Sequence, residues 1–455
     1  MSKYFGTDGF RGEAGNNLTA EHAYKIGRFL GWYYSEGGKK KVKVAIGKDT
    51  RLSSYMFEYA IVAGLTSSGA DAYMLHVTTT PSVSYVVNRE DFDCGVMISA
   101  SHNPFYDNGI KLVNNHGEKI DDATIEQIEY YLDGDMKSLG IEGDDIPFKR
   151  GEEIGRSIDY SAGRNRYIAY LISIVTNSFK GLRIGLDCAN GSSWMIAKSV
   201  FDALGAKTYT INTEPNGVNI NENAGSTHIE YLQNFVKENN LDMGFAFDGD
   251  ADRCLAVDEN GEVVNGDHIL YIFGNDMKKK GTLENNTVVT TIMSNMGLYK
   301  ALDKAGIRYE QTKVGDRFVY ENMSEFGHSV GGEQSGHIIL SKYATTGDGI
   351  LTALCLTEAC IDNKSTLAKL SAPVKMFPQV LKNLRVSDKK TVREDEGVGE
   401  KVAEVAKILG DSGRILVRES GTEPVIRVMI EAESEEVCEK YVDEVIDYIK
   451  SRGLA

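Results

Sequence analysis

Short apolar runs alternate along most of the chain with longer stretches whose apolar residues recur every three or four positions. The first such unit predicts a strand at residues 43–46, a helix at 55–68 and a strand at 72–77. Two further units are predicted, with strands at 183–187 and 208–211 around a helix at 193–204, and strands at 287–291 and 307–311 around a helix at 297–305. Strands that alternate with helices are typical of parallel sheets covered on both faces.

The last part of the chain follows another pattern. It predicts strands at 382–386, 414–417 and 425–431 and helices near 399–409 and 434–451, with the acid-rich residues 388–400 as a solvated loop and helix start. The predicted fold is therefore α/β, with three related α/β domains of mixed, largely parallel sheets and a smaller C-terminal α+β domain. We expect these domains at residues 1–153, 154–254, 255–369 and 370–455.

Composition and net charge reduce the number of functional classes that fit the chain. The chain has 455 residues, too many for a single hydrophobic core. Its 50 Lys and Arg against 66 Asp and Glu give a net charge of −16, which disfavours binding to nucleic acid or an anionic membrane. A small phosphorylated substrate remains compatible, since a local cluster of Arg side chains and glycine amides can hold an anion. With no long apolar run, no apolar N-terminal leader and six scattered cysteines, the expected location is the cytoplasm.

Two glycine- or serine-containing segments in the first domain are candidates for chemistry. Residues 6–12 read Gly-Thr-Asp-Gly-Phe-Arg-Gly, where backbone amides and Arg11 can approach an anion, unless the segment is an ordinary turn. Residues 95–104 lead an apolar strand into a Ser-His-Asn-Pro turn. Ser101 is a candidate phosphoryl acceptor there, with His102 and Lys111 as neighbouring proton donors or phosphate ligands. The alternative is that Ser101 caps a turn and His102 is a surface side chain.

Three carboxylates two residues apart follow the apolar run 241–247: Asp248, Asp250 and Asp252. Such groups repel one another, so a divalent cation is their natural partner. The spacing also resembles a calcium loop, with Glu259 at its twelfth position. Arg253, however, stands at the sixth position, where that loop needs glycine. A metal site at a strand end is favoured, and a solvated acidic turn is the alternative.

Two later segments are rich in glycine and hydroxyl groups. In residues 331–337, Glu333 and Ser335 can hydrogen-bond sugar hydroxyls and His337 can carry protons, although a polar turn explains the pattern equally well. Residues 418–424 read Arg-Glu-Ser-Gly-Thr-Glu-Pro, and Arg427 follows on the next strand. Two guanidiniums, two hydroxyls and a glycine amide suit a phosphate monoester, unless the arginines pair with the neighbouring glutamates.

These five segments, in this order, resemble the α-D-phosphohexomutase family from residue 3 to residue 429. The resemblance implies that Ser101 is the phosphoserine and that Asp248, Asp250 and Asp252 bind Mg²⁺ together with a phosphoryl oxygen on Ser101. It places Arg11, His102, Lys111 and Arg253 around the transferring phosphate and Glu333 and Ser335 at sugar hydroxyls. The phosphate that is not transferred is assigned to Arg418, Ser420, Gly421, Thr422 and Arg427. One departure is Glu419, where proline is common.

The resemblance also implies an activity. Phosphoserine chemistry moves phosphate between O6 and O1 of a sugar through a sugar 1,6-bisphosphate, in a central cleft among four domains. Residues 313–317 and 345–349 resemble the branch that interconverts glucosamine 6-phosphate and glucosamine 1-phosphate for UDP-N-acetylglucosamine synthesis. Glucose or mannose phosphates are the alternative substrates, and a homodimer is compatible with the resemblance. A non-catalytic phosphosugar sensor would show damage to the serine, the acidic triad or the Arg cradle, and none is visible.

Overall fold

Four β-sheets carry the fold in the computed structural model, which describes residues 3–36, 40–420 and 424–455. The chain divides into two compact units: Met1–Met293 with Ile307–Ala372, and Ser294–Gly306 with Pro373–Ala455. The first three sheets belong to the first unit and the fourth to the second. The second unit therefore combines the last part of the chain with one short segment from its third quarter.

The first sheet has a parallel core and an antiparallel side. Its strands are β1 (Phe5–Gly6), β2 (Gly9–Glu13), β3 (Lys43–Lys48), β4 (Asp71–Val77), β5 (Cys94–Ile98), β6 (Asp107–Asn114) and β7 (Ser157–Asp159). Their order is β1-β2-β6-β5-β3-β4-β7; β7, β4, β3 and β5 are mutually parallel, and β6, β2 and β1 pair antiparallel. The helices of this region are α1 (Ala20–Tyr33), α2 (Leu52–Ser67), α3 (Thr80–Arg89), α4 (Asp122–Asp133) and α5 (Ser161–Ile174).

Both faces of this sheet are buried, as the alternation along β3 requires. Val44 and Ile46 pack into a core with α1, α2 and α4, whereas Ala45 packs on the other side with α3. Helices α1 and α2 approach closely because glycines face each other. A Cβ atom on Gly64 would lie 2.1 Å from the carbonyl oxygen of Tyr24.

The second and third sheets repeat a parallel core with an antiparallel edge. The second, ordered β12-β11-β10-β8-β9, consists of β8 (Arg183–Asp187), β9 (Lys207–Ile211), β10 (Met243–Phe247), β11 (Cys254–Val257) and β12 (Val263–Val264), with helices α6 (Ala197–Ala203) and α7 (Glu230–Glu238). The third, ordered β14-β13-β15-β16, consists of β13 (Thr287–Thr291), β14 (Arg308–Thr312), β15 (Val330–Gly332) and β16 (Ile338–Leu340). Its part of the chain contains the helices α8 (Gly266–Lys280), α9 (Met296–Ala305), α10 (Asp316–Phe326), α11 (Gly349–Asp362) and α12 (Leu367–Ser371).

The second unit is built on a small antiparallel sheet. Its strands β17 (Gln379–Arg385), β18 (Gly413–Glu419) and β19 (Val425–Ala432) lie in the order β17-β19-β18, with helices α13 (Lys389–Glu394), α14 (Glu396–Leu409) and α15 (Glu435–Ser451). Helix α9 belongs here because the buried Glu431 holds its start. The Glu431 carboxylate accepts hydrogen bonds from the Met296 amide at 3.0 Å and from Arg414 Nε at 2.9 Å.

The predicted fold class is confirmed: three mixed, largely parallel sheets precede a smaller α+β unit. The strands predicted at 183–187 and 287–291 match β8 and β13. The sheets reach past the expected boundaries at 153 and 254, since β7 pairs with β4 and β11 pairs with β10. No helix within the described segments has the length and apolar character needed to span a bilayer.

Two local predictions were wrong. The acid-rich stretch 388–400, expected as a solvated loop and helix start, also contains the separate helix α13, because its acids act as N-caps. Asp388 accepts from the amides of Lys390 and Thr391, and Asp395 accepts from the amide of Val398. The helix predicted at 193–204 is a 3₁₀ turn at Ser192–Met195 followed by the shorter α6.

A buried ion pair between β3 and α2 gives a test of this packing. The side chains of Lys48 and Glu58 are each 2% exposed, and Lys48 donates to Glu58. Glu58→Ala leaves a buried ammonium without its carboxylate and should lower the free energy of unfolding by ~3–5 kcal/mol. The midpoint of urea-induced unfolding, followed by circular dichroism, measures this loss. The matched control is Glu21→Ala, which breaks the exposed Lys25–Glu21 pair on α1 and should cost only ~0.5 kcal/mol.

Candidate active site

Ser101 lies in the loop that follows the fully buried strand β5, at the carboxyl end of the parallel core. Its backbone is left-handed, with φ of 53°, a conformation that costs a non-glycine residue about 1–2 kcal/mol. The side chain is buried, and Oγ donates a hydrogen bond to Asp248 Oδ2 at 2.5 Å. Nδ1 of His102 lies 3.3 Å from the same Oγ. The predicted phosphoryl acceptor therefore sits beside the predicted acidic loop.

The acidic loop connects the antiparallel strands β10 and β11 of the second sheet. Asp248, Asp250 and Asp252 are buried, and each offers an oxygen that lies within 4.8 Å of the others. The loop approaches the serine closely, because a Cβ atom on Gly249 would lie only 2.5 Å from the Ser101 carbonyl oxygen. Strands, not helices, flank this loop, which argues against a calcium loop of the helix–loop–helix type.

The buried carboxylates respond differently to their surroundings. Burial alone would raise the pKa of Asp252, but Lys111, His337 and Arg253 hold it well below its usual range. Burial raises the pKa of Asp248 well above its usual range, and the neighbouring Asp252 and Asp250 raise it further. Oδ1 of Asp250 and Oδ1 of Asp252 are buried and accept no hydrogen bond from the described part of the chain. An all-oxygen set with unused buried acceptors fits a hard divalent cation.

Lys111, on β6, is the main cation within this cluster. Its Nζ lies 2.8 Å from Asp250 Oδ2, 3.2 Å from Asp252 Oδ2 and 3.7 Å from Asp8 Oδ2. Burial alone lowers the pKa of Lys111, but the three carboxylates together raise it well above its ordinary value. Lys111 therefore stays charged beside the acidic loop.

Three further predicted residues surround the serine loop. Arg11, on β2, pairs with Asp8, and its Nη1 lies 3.5 Å from Asn103 Oδ1. The Arg253 amide donates to Asp248 Oδ1 at 3.1 Å, and Arg253 Nε lies 4.0 Å from Asp252 Oδ1. Burial, aided by Arg253 and Arg11, lowers the pKa of His102 to about 4, so its imidazole is neutral near pH 7.

The third sheet brings His337 to the same cluster. Its ring is buried, with Nδ1 3.8 Å from Asp252 Oδ1 and Nε2 accepting a hydrogen bond from the Gly347 amide at 3.0 Å. A Cβ atom on Gly347 would lie 2.6 Å from this ring, so glycine is required there. Glu333 accepts from the Gly315 amide at 3.1 Å, and Ser335 is exposed.

The arginine cluster lies in the second unit. Arg418 on β18 is directly opposite Arg427 on β19, and Arg427 Nη2 lies 3.5 Å from Ser420 Oγ. Burial and the neighbouring Arg427 lower the pKa of Arg418. Glu419 pairs with Arg393 at 3.1 Å. Gly421 and Thr422, also predicted as phosphate ligands, lie outside the described residues.

Four side chains that the sequence patterns did not indicate complete the first unit's cluster. Lys119 Nζ lies 2.8 Å from Asp316 and 3.2 Å from Asp8, and Thr80 Oγ1 donates to Asp250. Asp8 lies within the glycine-rich segment 6–12 and Asp316 within the segment 313–317. Both segments stand out in the sequence, so a closer look at them could have indicated these two residues. Thr80 and Lys119 stand in ordinary sequence, and only the fold brings them here.

Family models match nearly the whole chain. They are described as domains I, II, III and IV of phosphoglucomutase/phosphomannomutase, the first three as alpha/beta/alpha domains and the fourth as the C-terminal domain. They match residues 2–138, 165–261, 265–377 and 381–448. Among solved structures, a phosphoglucomutase/phosphomannomutase family protein from Burkholderia thailandensis is 23% identical, with a TM-score of 0.80, and the match covers 99% of this chain and 98% of that one. This likeness shows a shared fold.

Full-length relatives are much closer in sequence. A protein named phosphoglucosamine mutase from Lachnospira eligens is 64% identical over 456 residues, covering 100% of both chains. One from Bacillus subtilis is 48% identical over 451 residues, covering 99% of both. With four matching domain models and relatives at this identity, the chain belongs to the phosphoglucomutase/phosphomannomutase family, the α-D-phosphohexomutases, and resembles its bacterial phosphoglucosamine mutases.

Proposed function

We propose that the protein acts as a phosphoglucosamine mutase, an isomerase that interconverts glucosamine 6-phosphate and glucosamine 1-phosphate. One observation carries the proposal: Ser101 Oγ lies 2.5 Å from an acidic loop that has unused, buried carboxylate oxygens. That arrangement suits reversible phosphorylation of the serine. The names of relatives at 48–64% identity over the whole chain favour glucosamine phosphate over glucose or mannose phosphate.

The reaction needs two transfers through Ser101. A phosphoryl group on Ser101 Oγ passes to the free O1 hydroxyl of glucosamine 6-phosphate, whose proton leaves, and the product is the 1,6-bisphosphate. The sugar then reverses its orientation, and the phosphoryl group on O6 returns to Ser101 Oγ while O6 regains a proton. Glucosamine 1-phosphate is released, and the phosphoserine is restored. A structural neighbour from Aspergillus fumigatus is described in complex with glucose 1,6-bisphosphate, which supports an intermediate of this type.

The chain's own residues provide charge and proton transfer at Ser101. Lys111, Arg11 and Arg253 offset the negative charge on the transferring group, a stabilisation that is strongest in a buried site. The neutral His102, with Nδ1 3.3 Å from Oγ, is placed to exchange a proton there. We assign the second proton transfer, to or from the sugar oxygen, to His337, whose Nδ1 lies 3.8 Å from Asp252 Oδ1.

We assign the cation site to Mg²⁺, held by Asp248, Asp250, Asp252 and a phosphoryl oxygen on Ser101. These ligands are all oxygens, which Mg²⁺ prefers. The bound ion would supply positive charge next to the transferring phosphoryl group. The N-acetylphosphoglucosamine mutase of A. fumigatus, 18% identical with a TM-score of 0.70, is described with GlcNAc-6P and magnesium, which supports the choice of metal.

The remaining ligands are assigned to the sugar and to the phosphate that is not transferred. Glu333 and Ser335 bind sugar hydroxyls. Arg418, Ser420 and Arg427, together with Gly421 and Thr422, bind the second phosphate. The lowered pKa of Arg418 supports this, because an anion would relieve the repulsion between the two guanidiniums. The cytoplasmic location and the homodimer stay predictions; the free thiols of all six cysteines are compatible with a reducing compartment.

The test of the function is a comparison of substrates. With the enzyme primed by the matching bisphosphate, kcat/KM for glucosamine 6-phosphate should exceed that for glucose 6-phosphate and mannose 6-phosphate by at least ~10-fold, about 1.4 kcal/mol of discrimination. Some activity on glucose 6-phosphate is expected, because only the C2 substituent differs. Equal or faster turnover of either neutral sugar would assign the protein to a phosphoglucomutase or phosphomannomutase activity.

Ser101→Ala removes the group that carries the phosphoryl intermediate. Turnover should fall at least ~10²-fold, since covalent catalysis is lost. Phosphopeptide mass spectrometry of the unaltered protein should place the phosphate on Ser101, and the variant should carry none there. A fully active Ser101→Ala enzyme would contradict the phosphoserine mechanism.

Asp250→Asn tests the metal assignment, since an amide replaces one charged oxygen ligand. Mg²⁺ affinity, measured by calorimetry, should fall ~10-fold or more, and turnover should fall with it at low Mg²⁺. The control is Asp258→Asn, because Asp258 is also buried but accepts from the backbone amides of Asn260 and Glu262 in a nearby turn. Full turnover of the unaltered enzyme in excess chelator would rule out the metal requirement.

A further inference from the structure

Arg51, at the start of helix α2, is fully buried and donates to the backbone of the loop that carries Ser101. Nη2 donates to the carbonyl oxygens of Ser101 and Asn103, each at 2.9 Å. Nη1 donates to the carbonyl oxygens of Pro104 and Asp107, the latter at 3.0 Å. A guanidinium has five N–H donors, and the fifth, on Nε, is also used. All five N–H donors of the Arg51 guanidinium therefore form hydrogen bonds.

Asp49 accepts the hydrogen bond from the fifth donor, and through Ser99 it also fixes the amide side of Ser101. Arg51 Nε donates to Asp49 Oδ2 at 2.7 Å, and Ser99 Oγ donates to the same oxygen at 2.7 Å. Ser99 Oγ in turn accepts from the Ser101 amide at 2.9 Å. The amide and the carbonyl of Ser101 are thus both fixed, one through Asp49 and the other through Arg51.

The loop depends on these hydrogen bonds because the backbone of Ser101 is left-handed. That conformation costs about 1–2 kcal/mol and persists only where surrounding contacts determine it. A second side chain contacts the same loop from the segment between β9 and α7. Asn221 Nδ2 donates to the carbonyl oxygens of Ser101 and Asn103 at 2.8 and 3.1 Å. The same two carbonyls therefore accept from both Arg51 and Asn221.

We propose that Arg51 is a positioning residue for phosphoryl transfer, with Asp49 and Asn221 as its partners. None of the three touches the reacting atoms; they keep Ser101 Oγ aimed at Asp248. Because the hold acts on the loop backbone and not on the sugar, its loss should slow the transfer without weakening substrate binding. A misplacement of about 1 Å costs ~10²-fold in rate. This inference rests on the proposed phosphoserine mechanism.

The decisive variant is Arg51→Lys, which keeps the charge but has three donors on one nitrogen and no fork. We expect kcat to fall ~10²-fold with KM changed less than ~3-fold, and Ser101 to accept phosphate from glucose 1,6-bisphosphate correspondingly slowly. The matched control is Arg28→Lys: Arg28 is equally buried and donates to Ser68 Oγ at 3.0 Å and to the backbone of Ser67 and Ile146, away from the serine loop. The control should lose comparable thermal stability and keep its kcat.

Asn221→Ala provides a second test that does not depend on the folding of Arg51→Lys. It should lower kcat ~10-fold with KM unchanged, and its effect should be non-additive with that of Arg51→Lys, since both hold the same carbonyls. Equal kcat losses in Arg51→Lys and Arg28→Lys, or an unchanged kcat in Asn221→Ala, would overturn the positioning role. An unaltered enzyme that takes up no phosphate at Ser101 would instead overturn the proposed function and this inference with it.

Discussion

The repulsion among three buried carboxylates is the constraint on which the rest of the first unit depends. Asp248, Asp250 and Asp252 lie within 4.8 Å of one another, out of water, where such charges repel strongly. Burial and this repulsion already raise the pKa of Asp248 well above its usual range. Cations built around the loop, above all Lys111, offset this repulsion. This arrangement sacrifices stability and gains a site that binds positive charge.

Two strand ends place the serine and the carboxylates together. Ser101 follows β5 and Asp248 follows β10, and each strand belongs to the parallel part of its own sheet. Catalytic loops collect at such carboxyl ends. The two loops can also approach each other closely, because Gly249 leaves space for the Ser101 carbonyl. Within the acidic loop, Ala251 takes a left-handed conformation.

Sequence patterns predicted the framework better than they predicted the contacts between its parts. Strands such as β5 and β10 are continuous apolar runs, a local signal, and the motif residues at the site were recognised from short segments. The helix α13 was missed because an acid-rich stretch reads as solvated, although its acids cap helices. Lys119 and Thr80 gave no signal, because their partners lie far away in sequence. Arg51 was missed for the same reason: its acceptors are backbone carbonyls, which carry no sequence signature.

Opposite charges are concentrated in the two units, and each concentration fits a different ligand group. In the first unit the acidic loop favours cations, and Lys111, Arg253 and His337 lie beside its carboxylates. In the second unit Arg418 and Arg427 stand opposite each other on adjacent strands, and burial together with the neighbouring Arg427 lowers the pKa of Arg418. Groups of like charge at close range are typical of ligand sites. A metal ion with a phosphoserine suits the first cluster, and a phosphate monoester suits the second. The proposed mechanism needs both kinds of site, because the bisphosphate intermediate carries one phosphoryl group that is transferred at the serine and one that is not.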